Sequence, residues 1–276
     1  MIKFVFFGTP SIVLPALSAL KDAGIVPAVV VTQPDRPAGR KLALTPPPVK
    51  EWATKEGIEV LQPEKITSEW TDELANTDWD VFVVAAYGMI LPQKLLDIPK
   101  HGVLNIHPSL LPRYRGASPV RSAMLADDKD AIGVSIMKLD EKMDHGPILA
   151  QGRVELEEWP MRADVLEELL MHEGGKLLAE LLNTGEYSDT SLYSSQDHAG
   201  ATYSKKITKE MGEIHLADDG YKNWLAYNAF YPWPGIFYFD TDGKRIKVTE
   251  AVYENGTFSP TKIIPEGKAE RAYSLE

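Results

Sequence analysis

The chain has 276 residues, 44% hydrophobic and 25% charged, the balance of a globular protein long enough for one large or two smaller domains. It contains no cysteine, which excludes disulfides, thiolate metal sites and cysteine nucleophiles and points to a cytoplasmic setting. The formal charge of −11 disfavours a protein that wraps nucleic acid over its whole surface, and no apolar run approaches the roughly 20 residues of a membrane span.

Met1 to Gly8 is too short for a secretory signal and reads as a first strand. Gly8-Thr9-Pro10 turns the chain, Ser11 is a candidate helix cap, and Leu14, Leu17 and Leu20 mark a helix ending near Gly24. Residues 28–31 are a second strand, so the chain opens as a βαβ unit. Residues 81–86, 102–107 and 133–139 supply further strands. Glu167 to Leu182 predicts an amphipathic helix, with a weak point at Gly174-Gly175. Alternating strands and helices imply an α/β fold, a Rossmann-like and mostly parallel sheet whose ligands bind beyond the carboxyl ends of the strands. Only Gly8 follows the first strand, so the glycine fingerprint of dinucleotide binding is missing, and no Walker-type lysine motif is present.

Beyond Gly185 the character changes. Residues 187–203 are rich in Ser, Asp, Thr and Gln, as in a linker. Short candidate strands follow at 235–239, 245–252 and 261–264, with turn signals at Asp242-Gly243 and Asn255-Gly256. The expected organisation is a catalytic domain over 1–187, a linker over 188–203 and a small OB-like β-barrel over 204–276. Residues 204–276 hold ten Lys and Arg against eleven Asp and Glu, so the acid excess lies in the first part. A nucleic-acid contact is expected in the C-terminal part or in local basic loops.

The most informative stretch runs from Val103 to Gly116. Val103, Leu104 and Ile106 predict a buried strand on which Asn105 and His107, two residues apart, share a face. A buried amide and imidazole cost desolvation unless they have partners or work. Pro108, Pro112 and Gly116 give the following loop a fixed shape. An imidazole can exchange a proton near neutral pH, and an amide N–H can stabilise an oxygen that gains charge. Such a pair wants a carboxylate, and the loop 139–147 offers Asp140, Glu141 and Asp144, between which spacing does not choose. His107 and His145 match no zinc-ligand spacing, so no metal is expected. Arg36, Arg40 and Lys41, among turn residues 33–41, form a candidate clamp for an anionic partner. Phe230, Tyr231 and Trp233, set between prolines, read as an interface anchor.

Asn105-Ile106-His107-Pro108-Ser109-Leu110-Leu111-Pro112, with Arg115-Gly116 behind it, resembles the hallmark of the folate-dependent formyltransferases. Residues 133–137, followed by Leu139-Asp140 and Asp144-His145-Gly146-Pro147, resemble the segment that brings that family's aspartate to its Asn and His. Within the family, the methionyl-tRNA formyltransferases are most similar, through residues 7–10, 34–40, 45–50, 201–203, 232–235 and 264–268. The resemblance implies formyl transfer from 10-formyltetrahydrofolate to the amino group of initiator methionyl-tRNA by a monomer. It selects Asp144 as the third member beside Asn105 and His107. It implies a folate pocket lined by Ser109, Leu110, Leu111 and Pro112 together with Tyr87, Gly88, Met89 and Ile90, and tRNA contacts at Arg36, Arg40 and Lys41. After Arg40 this chain reads Lys41-Leu42-Ala43, with fewer positive charges than the family's loop. Formylation of a sugar-nucleotide amine and a non-catalytic RNA-binding role are the alternatives.

Overall fold

The apolar runs seen in the sequence become the strands of a seven-stranded sheet. The computed structural model describes residues 2–38 and 43–274. In chain order these are β1 (Phe4–Gly8), α1 (Leu14–Asp22), β2 (Val29–Val31), β3 (Arg36–Ala38), β4 (Ala43–Thr45), α2 (Pro48–Lys55), β5 (Glu59–Leu61), α3 (Ser68–Leu74), β6 (Val81–Ala85) and α4 (Gln93–Leu96). Then come β7 (Val103–His107), β8 (Arg115–Gly116), α5 (Pro119–Leu125), β9 (Gly133–Lys138), β10 (Ile148–Arg153) and α6 (Ala163–Thr184). The last elements are β11 (Tyr203–Ser204), α7 (Gly220–Ala229), β12 (Ile236–Phe239), β13 (Arg245–Glu254), β14 (Thr257–Pro265) and β15 (Arg271–Ala272).

The sheet order is β10-β9-β7-β6-β1-β2-β5. Strands β5, β2, β1, β6 and β7 run parallel, while β9 is antiparallel to β7 and β10 antiparallel to β9. Both faces are covered. Phe4, Phe6, Leu104 and Ile106 pack with Leu17 and Leu20 of α1 and with Met171 and Leu178 of α6. Val5, Phe7, Phe82 and Val103 pack with Leu74 of α3 and Leu95 of α4 on the other side. The two-residue alternation of β7 therefore puts Asn105 and His107 on the face of Val103, opposite Leu104 and Ile106. This is the mostly parallel, doubly covered α/β sheet that the sequence implies.

Two local expectations are corrected. The first helix is preceded by a single 3-10 turn at Ser11–Val13, with Pro10 rather than Ser11 at its cap position. The helix expected over 167–182 runs longer, Ala163–Thr184, straight through Gly174-Gly175. A Cβ on Gly174 would lie 2.5 Å from Ile106 Cγ2, and one on Gly175 would lie 2.6 Å from the Ala16 backbone. The glycines are points of close approach between α6, the sheet and α1, so their weak helix propensity is outweighed by packing.

The chain divides into two compact units, each drawn from three stretches. Met1–Arg115, Gly133–Val154 and Glu167–Thr202 make the first; Gly116–Ile132, Glu155–Leu166 and Tyr203–Glu276 make the second. Residues 188–202, linker-like in composition, thus belong to the first unit. Ile148 and Ser194 exchange two backbone hydrogen bonds of 2.8 Å there, which side-chain polarity does not reveal. The stretches 116–132 and 155–166 join the second unit for equally specific reasons. Leu125 packs on its core, Trp159 Nε1 and Tyr221 Oη both donate to Asp127 Oδ1 (2.7 and 3.0 Å), and the Arg162 guanidinium lies 3.3 Å from the Tyr231 ring centroid.

The second unit is an antiparallel sheet, β12-β13-β14-β15, with α7 against it. Its turns are the two read from sequence: Gly243 has φ +75°, and Asn255 and Gly256 have φ +51° and +80°. None of the described helices is long and apolar enough to cross a membrane.

Candidate active site

The site grows from the carboxyl end of β7. His107 is 4% exposed and paired in register with Ser135 of β9. Its Nε2 lies 3.0 Å from the carbonyl oxygen of Tyr114. A carbonyl only accepts, so Nε2 carries a proton and Nδ1 is the nitrogen left to face the site. That Nδ1 faces Asp144 Oδ2 at 3.7 Å. Asp140, the competing carboxylate, is bonded through Oδ2 to His145 Nδ1 at 2.7 Å instead. Tyr114 and Asp144, the two residues that meet the imidazole, both lie in the left-handed region, at φ +55° and +47°. Such backbone is costly outside glycine and collects at functional sites.

Asn105 is 8% exposed, two residues earlier on the same face. Among the described residues its carboxamide makes no hydrogen bond. With no protein partner and its polar atoms still reached by solvent, the carboxamide is a donor open to a ligand.

The loop after β7 is braced from below by Ser135, which is fully buried. Its hydroxyl donates to Ser109 O (2.6 Å) and accepts from Leu111 N–H (3.1 Å) and from Gln151 Nε2 (2.8 Å). Gln151 Nε2 also donates to Leu111 O at 2.9 Å, and Ser109 Oγ donates to Arg113 O at 2.7 Å. The stiffness attributed to prolines thus rests largely on hydrogen bonds to β9 and β10. No group of three or more His, Asp or Glu side chains that could hold a metal ion occurs among the described residues.

This geometry has relatives. The family model for formyl transferases matches residues 2–182, and that for the formyl transferase C-terminal domain matches 206–272. The methionyl-tRNA formyltransferase of Dehalococcoides mccartyi is 43% identical over 255 residues, 91% of this chain and 79% of that protein. That of Chloroflexus aggregans is 42% identical over 274 residues, 99% of this chain and 87% of the relative. The chain belongs to the methionyl-tRNA formyltransferase family. A solved methionyl-tRNA formyltransferase from Clostridium thermocellum shares the fold, with a TM-score of 0.64 at 14% identity, covering 96% of this chain and 99% of that one.

In this formyltransferase the remaining residues singled out in the sequence fall in several places. Tyr87 is buried, its ring edge-on to Phe7 at 5.4 Å, and burial pushes its hydroxyl up to about 12. Its side chain belongs to the core, and its carbonyl accepts from Thr9 Oγ1 (3.1 Å) and Gln33 Nε2 (3.0 Å). Gly88 follows at φ +82°, Met89 is half-buried, and Ile90 is 94% exposed. Leu111 is buried, Pro112 is half-buried, and Leu110 lies over Gly133, where a Cβ would come within 2.6 Å of it. Arg36 is exposed and paired with Glu64 at 3.0 Å. Arg40 and Lys41 lie outside the described residues. Sequence reading gave no role to Ser135, Gln151 or Gln196. Arg115, quoted only as part of a motif, is among the largest fully buried side chains.

Proposed function

We propose that the protein transfers the formyl group of 10-formyltetrahydrofolate to the amino group of methionyl-tRNA, with Asn105, His107 and Asp144 acting on the reacting atoms. The observation that carries this reading is one constellation: an amide without a protein partner, beside an imidazole whose Nδ1 faces a carboxylate at 3.7 Å. The residues present fit the folate. Asn105 offers the unused donor, and Ile90 stands fully exposed on the loop after β6, an apolar side chain suited to cover a ring system.

When bound, the folate supplies a formyl carbon joined to a leaving nitrogen. The Asn105 N–H donates to the formyl oxygen as charge develops on it. His107 Nδ1 takes the proton that the attacking amine sheds as its N–C bond forms, and Asp144 stabilises the resulting imidazolium. The Tyr114 carbonyl keeps Nε2 protonated throughout, so the ring works through one nitrogen. The same proton is then available to the departing folate nitrogen.

The second unit and the basic loop at Arg36, Arg40 and Lys41 contact the tRNA, and the protein acts as a cytoplasmic monomer. The near-neutral charge of residues 204–276 in an otherwise acidic chain supports the first part. The test is acceptor choice. Charged initiator tRNA should be formylated, whereas deacylated tRNA, N-acetylated methionyl-tRNA and amino-sugar nucleotides should not. Efficient formylation of an amino-sugar nucleotide would overturn the reading.

A further inference from the structure

Asp144 is held from behind by a buried frame. Gln196 Nε2 donates to Asp144 O at 2.9 Å and to Gly146 O at 2.7 Å, the carbonyls on either side of His145. Its Oε1 accepts from Arg115 Nε at 3.0 Å and from Nη2 at 2.6 Å. Four bonds fill both amide protons and both lone pairs. Only one orientation of the carboxamide serves them, since a flip would set donors against donors and oxygen against two carbonyls. Gln196 is 5% exposed and Arg115 1%, so the frame lies in dry protein, where an unmade bond is most costly.

The frame is itself fixed. Arg115 N–H donates to Thr202 O at 2.9 Å, and Arg115 Nη2 donates to His198 Nδ1 at 2.9 Å. The His198 ring stacks on His145 at 4.0 Å and 6°. His198 is exposed, and desolvation against its neighbours, followed by the nearby His145 and Arg115, lowers its pKa. Behind Gly146 the chain runs so close to β9 that a Cβ there would meet Lys138 O at 2.0 Å.

We propose that Gln196, backed by Arg115, is the positioning residue for Asp144. Its two amide protons hold the left-handed turn that aims the carboxylate at His107 Nδ1. The inference rests on the reading of Asp144 and His107 as the proton-handling pair. Gln196→Glu preserves volume and the bonds from Arg115 but has no protons for the two carbonyls, and Gln196→Leu removes both sets. Each should lower kcat at saturating substrates about 10–100-fold, with KM for 10-formyltetrahydrofolate unchanged within twofold. In an Asp144→Asn background, Gln196→Leu should cause no further loss in kcat, because the group it positions is already gone.

Thermal unfolding of each variant confirms that folded protein is compared, and Gln196→Glu serves if Gln196→Leu does not fold. If Asp144→Asn loses turnover while both Gln196 variants keep kcat within twofold, the inference is overturned and the reading of Asp144 stands. The inference is equally overturned if the losses multiply in the double variant. If Asp144→Asn itself turns over normally, that reading fails and takes this one with it.

Discussion

Replacing Asn105 by alanine separates an amide kept for structure from one kept for chemistry. The carboxamide is 8% exposed and makes no hydrogen bond among the described residues. Its removal therefore breaks no internal bond and leaves a small void that solvent can reach, so unfolding in urea should change by about 1 kcal/mol or less. Loss of the donor to a developing oxyanion should instead cost about 2.7–4 kcal/mol of barrier, or about 10²–10³-fold in kcat. Rapid-quench formylation at saturating folate and charged tRNA measures the second quantity, and urea unfolding followed by tryptophan fluorescence the first. A kcat reduced less than threefold would refute an oxyanion role for Asn105. A loss of several kcal/mol of stability would instead make the amide a structural group.

Ser135→Ala removes the hydroxyl on which Ser109 O, Leu111 N–H and Gln151 Nε2 converge, stranding buried polar groups. Unfolding free energy should drop by about 2–4 kcal/mol in urea titration, and a change under 1 kcal/mol would refute the brace. Hydrogen bonds from Gln62 and Lys50 hold the Asp35 carboxyl below its usual value of 3.8, so this group stabilises the fold above its unfolded pKa and ceases to as pH falls through the folded one. The stability gap between wild type and Asp35→Asn should be full at pH 7 and close on acidification below about pH 4; a gap that widens in acid would contradict the sign.

Much of this architecture was readable because its signals are local. The buried strands announce themselves as apolar runs, and two-residue alternation alone places Asn105 and His107 together. The hairpin at Asn255-Gly256 follows from residues that tolerate positive φ. What escaped depends on distant partners. Asp140 and Asp144 look alike in the chain, and the structure separates them only because Asp140 is taken by His145. Gln196 sits in a polar stretch that reads as linker, while the Arg115 it meets is 81 residues away. Tyr87 lies beside the expected folate loop, yet its ring points into the core against Phe7. The interleaving of the two units rests on Leu125, Asp127 and Trp159 finding partners beyond residue 202, which no window of sequence reveals.

If Asn105, His107 and Asp144 move a formyl group onto an aminoacyl-tRNA, the transfer is visible in a single turnover. The most direct measurement is single-turnover transfer of labelled formyl from 10-formyltetrahydrofolate to charged initiator tRNA, for wild type beside His107→Ala. Label should appear in the tRNA with wild type, and the rate should fall about 10²–10⁴-fold without the imidazole. Absence of transfer by folded wild type, or transfer by His107→Ala within a few-fold of wild type, would contradict that role.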